Sequence, residues 1–316
     1  MIFNIVFPKS TSLRVNICHG HVAMYDLRSR PTNVIDRPMS KSTEPQRLDQ
    51  LLVSLNLVAS RARARDAISR GTVTVNGRTV TKPSLTFKPD VTVTIDDPAQ
   101  DYVSRAALKL AAGLDHFKLD PTGHECLDIG ASTGGFTEVL VMRGAEHVTS
   151  IDVGHGQMHQ RLIDDERVTN IEGLNARYLE PDDYEDRPIT FIVSDVSFIS
   201  LKLALAPALE QAEPGALCVL LVKPQFEAGR DAISKAGLLK EPETAPDVAA
   251  ELERWLVEDM EWESLGLIPS PIDGGDGNKE FLLAGKKPED AEPYQRSERD
   301  DEDLNAADMD DEDGDE

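Results

Sequence analysis

The nine residues Asp128-Ile-Gly-Ala-Ser-Thr-Gly-Gly-Phe136 constrain the fold of this chain more than any other stretch. An apolar run (Cys126, Leu127, Ile129) leads into them, and a helical run from about Phe136 to Arg143 leads away. About twenty residues further on, a second strand-like stretch, His147 to Ile151, ends in Asp152. Strand, Gly-rich turn, helix, strand and terminal acid in that order make a mononucleotide-binding βαβ unit. Its glycines let the backbone approach a ligand closely, and its acid can grip a ribose diol.

The turn lacks the dinucleotide spacing G-x-G-x-x-G, and no Gly-Lys-Ser/Thr follows to grip a phosphate. Asp128, at its start, repels a pyrophosphate. A zwitterion with an ammonium and a ribose, such as S-adenosylmethionine, fits better.

Strands and helices alternate on both sides of this unit, so the expected class is α/β. Strands are predicted near 125–129, 147–151, 168–172, 189–194, 216–222, 262–268 and 280–285, and helices over 104–116, 135–143, 201–209 and 245–258. The last two strands have no clear helix between them, which predicts a hairpin at one sheet edge. In a doubly wound sheet the ligand lies beyond the carboxyl ends of the strands. Asp128 and Gly130, Asp152, Asn175, Asp195 and Lys223 follow successive strands there. A lysine ending the apolar run Leu217–Val222 is unusual, because a charge there costs several kcal/mol unless paired or shifted in pKa.

The formal charge of −24 is unevenly spread. Residues 288–316 hold 15 acidic and 2 basic residues, whereas 46–96 hold 8 basic and 4 acidic and 1–45 hold 6 and 3. The positive charge is at the N-terminal end, where an RNA-facing module can sit. Within 46–96, Leu48, Leu51, Leu52 and Leu55 mark one helical face, Ser60 caps a second helix closed by Gly71, and short β-elements follow, with an Asn76-Gly77 turn. The second helix carries a basic face suited to phosphates.

Arg47-Leu-Asp-Gln-Leu-Leu52, Ser60-Arg-Ala-Arg-Ala-Arg65 and Gly71-Thr-Val-Thr-Val-Asn-Gly77 resemble the S4-type RNA-binding domain. That resemblance implies RNA contacts from Arg47, Arg61, Arg65 and Arg70. Lys109, Asp195, Lys223 and Glu280 occur in the order and contexts of the catalytic tetrad of FtsJ-like ribose 2′-O-methyltransferases, in Ser194-Asp-Val-Ser-Phe198, Lys223-Pro-Gln-Phe-Glu227 and Gly274-Gly-Asp-Gly-Asn-Lys-Glu-Phe281. The whole layout, over roughly 46–287, resembles the TlyA (hemolysin A type) rRNA methyltransferase family. The implied fold is a Rossmann-like seven-stranded methyltransferase fold preceded by a small α+β S4-like domain. The implied activity is S-adenosylmethionine-dependent 2′-O-methylation of a cytidine ribose in ribosomal RNA, with rRNA or ribosomal subunits as partner.

Under this resemblance the Gly130–Gly135 turn, with Ala131, Ser132 and Gly134 and with Asp128 at its head, takes the methionine end. Asp152 takes the ribose hydroxyls, and Asn175 lies beside the adenine. Phe136 is either a pocket wall or plain core. Lys223 is the expected hydroxyl-activating residue, with Asp195 and Glu280 as orienting carboxylates; Lys109 as a like charge would lower its pKa and a neighbouring carboxylate would raise it, and the sequence leaves the balance open.

The expected organisation is a poorly ordered extension at 1–44 (Met39 being an alternative start), an S4-like domain at 45–96, a linker at 97–104, the methyltransferase domain at 105–287 and an acidic disordered tail at 288–316. Cys18-His-Gly-His21 and the pair His155/His159 lack further ligands at metal spacing, so no metal is expected. Trp255 and Trp262 read as core. Three scattered cysteines, no secretory leader and no apolar run of membrane length point to a cytoplasmic protein without a membrane role or an obligate protein partner. The competing readings are a non-catalytic RNA-binding or ribosome-assembly factor and a membrane-lysing hemolysin.

Overall fold

The computed structural model describes residues 44–88, 90–275 and 277–295, and the backbone of two earlier strands, β1 (Leu13–Cys18) and β2 (His21–Asp26). Those two strands pair antiparallel, Leu13 opposite Asp26. The side chains of Cys18, His19 and His21, and the acidic tail from 296, lie outside the described residues. The chain divides into two units between Asp97 and Pro98.

The first unit opens with β3 (Gln46–Arg47) and α1 (Leu48–Ser54), followed by α2 (Arg61–Ser69). Ser60 Oγ accepts from the amide of Arg63, which satisfies one of the free N–H groups at the start of α2. Four short strands follow: β4 (Val73–Val75), β5 (Arg78–Thr79), β6 (Thr86–Phe87) and β7 (Val93–Ile95). Strands β5, β4 and β7 form an antiparallel sheet, and β3 pairs with β6. Asn76 and Gly77, with φ of 50° and 74°, make the two-residue turn between β4 and β5, a geometry that favours those residue types. Leu48, Leu51 and Leu52 meet Ala64, Ala67 and Ile68 and the valines of β4 and β7 in one core. The i, i+3, i+4 spacing of the leucines supplies its helical side.

The second unit is a single seven-stranded sheet with helices on both faces. Its elements are α3 (Ala107–Phe117), β8 (Glu125–Ile129), α4 (Gly135–Met142), β9 (His147–Asp152), α5 (Gln160–Ile163), β10 (Val168–Glu172) and β11 (Phe191–Ser194). Then come α6 (Leu201–Gln211), β12 (Leu217–Val222), α7 (Pro224–Glu227), α8 (Ala245–Glu258), β13 (Glu263–Pro269) and β14 (Phe281–Lys286). The strand order is β10-β9-β8-β11-β12-β14-β13, with β14 antiparallel to both neighbours and the first five strands parallel. The edge hairpin expected from the last two strands is present, with β14 inserted beside β12.

Side chains alternate across the sheet as the strand period of two requires. Cys126, Val219 and Leu221 join Leu110, Leu114, Phe136 and Leu140 of α3 and α4 on one face. Leu127, Cys218 and Leu220 join Leu205 and Leu209 of α6 and Leu252 and Leu256 of α8 on the other. Trp255 and Trp262 belong to this second core, and Phe136 belongs to the first. The strand order reverses between β8 and β11, and a sheet of this kind opens a crevice at that switch point. Among the described residues no helix is long and apolar enough to cross a membrane.

Candidate active site

The Gly-rich turn lies at the mouth of that crevice. Gly130 has φ of +82°, and a Cβ on it would sit 3.0 Å from the backbone of Asp195 and Val196. Only glycine allows β8 and β11 to approach so closely here. Gly134 (φ +91°) starts α4, and a Cβ there would lie 2.2 Å from Leu162. Asp152, ending β9, accepts hydrogen bonds from the amides of Ser132 (2.8 Å) and Gly154 (2.7 Å), so its carboxylate braces the turn from the neighbouring strand.

A cavity of about 360 Å³ opens beside the turn, with Gly130, Ser132, Asp152 and Asn175 in its wall and Leu174 and Ile199 as apolar sides. Asn175 is held by its own turn, its Oδ1 accepting from the amide of Arg177 at 3.1 Å. A second cavity of about 180 Å³ shares Gly130, Ser132, Asp195 and Ser197 with the first and adds Phe136 and Lys223. Ala131 and Gly135 line this second cavity. Ala131 also packs with Met158 and Leu162, the side chains that Gly134 approaches.

Asp128 is placed differently from the sequence expectation. It lines neither cavity but lies fully buried beneath the turn. One carboxylate oxygen accepts from Thr137 Oγ1 at 2.6 Å, and that hydroxyl lies 2.8 Å from Ser150 Oγ. The other oxygen has no hydrogen-bond partner among the described residues. Burial pushes its acid up to about 7 against the pull of the Thr137 hydrogen bond, with the charges of Asp195 and Asp152 adding to the rise. The reason is geometric: Asp128 is the fourth residue of a central strand, so its side chain follows the pleat toward α4.

The four tetrad candidates form two ion pairs at the carboxyl edge of the sheet, Lys109 with Glu280 buried and Lys223 with a half-buried Asp195. Lys223 Nζ lies 2.6 Å from Asp195 Oδ1 and donates to Ser197 Oγ at 2.7 Å. Lys109 Nζ donates to Glu280 Oε2 at 2.5 Å, and both residues are 5% exposed. The antiparallel register of β12 and β14, Val222 opposite Phe281, brings Lys223 and Glu280 to the ends of adjacent strands. Each lysine thus has its own carboxylate, an arrangement that chain order alone leaves open.

Sequence reasoning missed several supports. Ser197 is a second partner of Lys223 and lines both cavities. Glu227 accepts from Ser200 Oγ (2.6 Å) and the amide of Leu201 (2.8 Å), fastening α7 to the start of α6 and so closing the loop 195–200. Asn278 reaches the amide of Leu239 and the carbonyl of Gly237. Phe198 is 91% exposed, takes φ of +68° and rests 5.1 Å from the ring of Phe226. Its presence in Ser194–Phe198 was visible in the sequence, but its exposure was not.

His155 and His159 do not share a helical face, because α5 begins only at Gln160; the His159 ring caps that helix by accepting from the amide of Arg161. Among the described residues no group of three or more His, Cys, Asp or Glu is arranged to hold a metal ion.

The four arginines of the first unit expected to face RNA, Arg47, Arg61, Arg65 and Arg70, separate into two groups. Arg47, Arg61 and Arg65 all reach the buried carboxylate of Asp49, at 3.0, 3.1 and 3.1 Å. Arg70 is instead held by Asp66 and Asp97, both at 2.7 Å.

Residues 102–287 match the FtsJ-like methyltransferase family, and residues 46–93 match the S4 domain. The chain is 40% identical over 239 residues to the 16S/23S rRNA (cytidine-2′-O)-methyltransferase TlyA of Mycobacterium tuberculosis, covering 75% of this chain and 88% of that protein. It is 36% identical over 236 residues to hemolysin A of Brachyspira hyodysenteriae, covering 75% and 98%. A solved structure from Streptococcus thermophilus, provisionally called a hemolysin, superposes with a TM-score of 0.61 at 35% identity, covering 84% of this chain and 96% of that one.

Proposed function

Because the chain belongs to the FtsJ-like methyltransferase family and carries an S4 domain ahead of it, we propose that it methylates the 2′-hydroxyl of a cytidine in ribosomal RNA, using S-adenosylmethionine. The observation that carries this reading is the pairing of Lys223 with Asp195 in the wall of a Gly-rich cavity, with Lys109 paired to Glu280 at the start of the strand next to β12.

The residues present suit the cofactor. The cavity wall offers backbone from Gly130 to Ser132, a carboxylate at Asp152 for a diol and apolar sides with Asn175 for a purine. When bound, S-adenosylmethionine supplies a methyl group already activated by its sulfonium. The protein must therefore align the ribose hydroxyl and remove its proton. Lys223 is the group placed to receive that proton, while Asp195 and Ser197 fix the direction of its Nζ. Lys109 and Glu280 form the other pair, buried, which ties α3 to the start of β14. The exposed ring of Phe198, at the rim of the cofactor cavity, offers a face on which an unstacked base can lie.

Labelled S-adenosylmethionine, with unmodified ribosomal subunits and naked rRNA as acceptors, tests the proposal, with Lys223→Ala as control. Digestion and mass spectrometry should find a ribose-methylated cytidine that is lost in the variant. Absence of transfer to any acceptor, with cofactor binding intact, would leave the RNA-binding assembly-factor reading standing instead.

A further inference from the structure

Asp49 is fully buried in the first turn of α1, yet three arginines from two different elements close on it. Arg47 binds it with two hydrogen bonds, Nε to Oδ1 at 3.0 Å and Nη2 to Oδ2 at 3.2 Å. Arg61 Nη2 and Arg65 Nε, one turn apart on α2, each add a bond of 3.1 Å to Oδ2. One bidentate arginine already neutralises a carboxylate and fills two of its four lone-pair sites. The second and third fill the others, but they leave three positive charges against one negative, a surplus of charge that the burial of Asp49 does not require.

Exposure distinguishes this cluster from an internal ion pair. The arginine side chains are 40%, 48% and 54% exposed, against 0% for Asp49. The carboxylate is a hidden anchor, and the guanidinium groups fan outward with one negative charge beneath three positive ones. Arg70 provides the contrast from the C-terminal end of the same helix: its side chain is 15% exposed and faces two carboxylates, so it carries no surplus. Guanidinium forks match phosphate oxygens, and a fork held in place before binding loses less side-chain entropy on contact.

Resting on the reading of this unit as RNA-binding, we propose that Asp49 is a positioning residue that arranges Arg47, Arg61 and Arg65 as a clamp for backbone phosphates of folded RNA, with Arg70 outside it. The sign of the predicted effect opposes simple electrostatics. Deleting a negative charge from a phosphate-binding face should tighten binding. Deleting this one should weaken it.

The test measures equilibrium binding of the full chain to in vitro transcribed 16S and 23S rRNA over a series of salt concentrations. Asp49→Asn is expected to lose roughly tenfold or more in affinity, because three long side chains must then be ordered during binding. Asp66→Asn, which removes an acid from α2 outside the clamp, should bind as well as wild type or better. If Asp49→Asn binds equally or more tightly, the proposal is overturned.

Where the melting profile shows that Asp49→Asn unfolds the unit, the double variant Arg61→Lys/Arg65→Lys decides. It conserves charge, so the salt slope should hold while affinity drops, since lysine lacks the fork. Wild-type affinity in that variant would equally sink the proposal. Failure of the wild-type chain to bind either rRNA is a different result, and it overturns the functional reading itself.

Discussion

Replacing Glu280 with alanine should damage the second unit in a way that separates folding from chemistry. Glu280 and Lys109 are both 5% exposed and 2.5 Å apart. At an effective dielectric of about 20, their attraction is about 6–7 kcal/mol. Removing two such ions from water costs several kcal/mol each, so the intact pair contributes little net stability. Truncating one partner is another matter: Lys109 stays buried without its counter-charge, and the expected loss is about 3–5 kcal/mol. For a unit of this size that corresponds to a melting point lower by about 10 °C.

The paired replacement Lys109→Met/Glu280→Leu removes both charges and should recover most of that stability, while methyl transfer stays absent. Calorimetric or urea unfolding of wild type, both single variants and the double variant gives the coupling directly, with transfer to unmodified ribosomal subunits measured in parallel. Unfolding of Glu280→Ala at the wild-type temperature would refute the buried-pair argument. Wild-type transfer by the double variant would refute any part for the pair in the reaction.

Asp128→Asn should change the pH dependence of stability. The folded protein keeps a proton on Asp128 up to about pH 7, whereas the unfolded chain loses it near the ordinary value of 3.8, so stability falls as pH rises between those limits. The full span amounts to about 4 kcal/mol, and urea unfolding at pH 5 and pH 8 should show the variant without this decline. Asp152→Ala should weaken S-adenosylmethionine binding by about 1.5–3 kcal/mol, read by calorimetric titration, since charged hydrogen bonds to the diol are lost. Phe198→Ala should lower kcat/KM for RNA by about 1–3 kcal/mol in transition-state terms, the worth of one base–aromatic contact, with a smaller change in cofactor affinity.

The sequence was sufficient where the determining physics is local. The period of the leucines in α1, the caps at Ser60 and Gly71, the Asn76-Gly77 turn and the strand-turn-helix around Gly130 each depend on residues a few positions apart. So do the helix at 245–258 and the late hairpin, and the order of Lys109, Asp195, Lys223 and Glu280 was readable through their contexts. The short helices α5 and α7 escaped, because four residues carry too little periodicity to register.

Only the tertiary structure decided which charge meets which. Asp128 reads as a ligand-facing acid, but the pleat of β8 turns it under α4, where the Thr137 hydroxyl, itself beside Ser150, donates to it. Four arginines look equivalent in a list, yet Asp49 gathers three and Asp66 with Asp97 withdraws the fourth. Lys109 and Glu280 are 171 residues apart and become neighbours only because β14 inserts beside β12. Secondary structure is written in spacings along the chain, but burial, pairing and the field at a carboxylate come from groups brought together by the fold, and no local pattern encodes them.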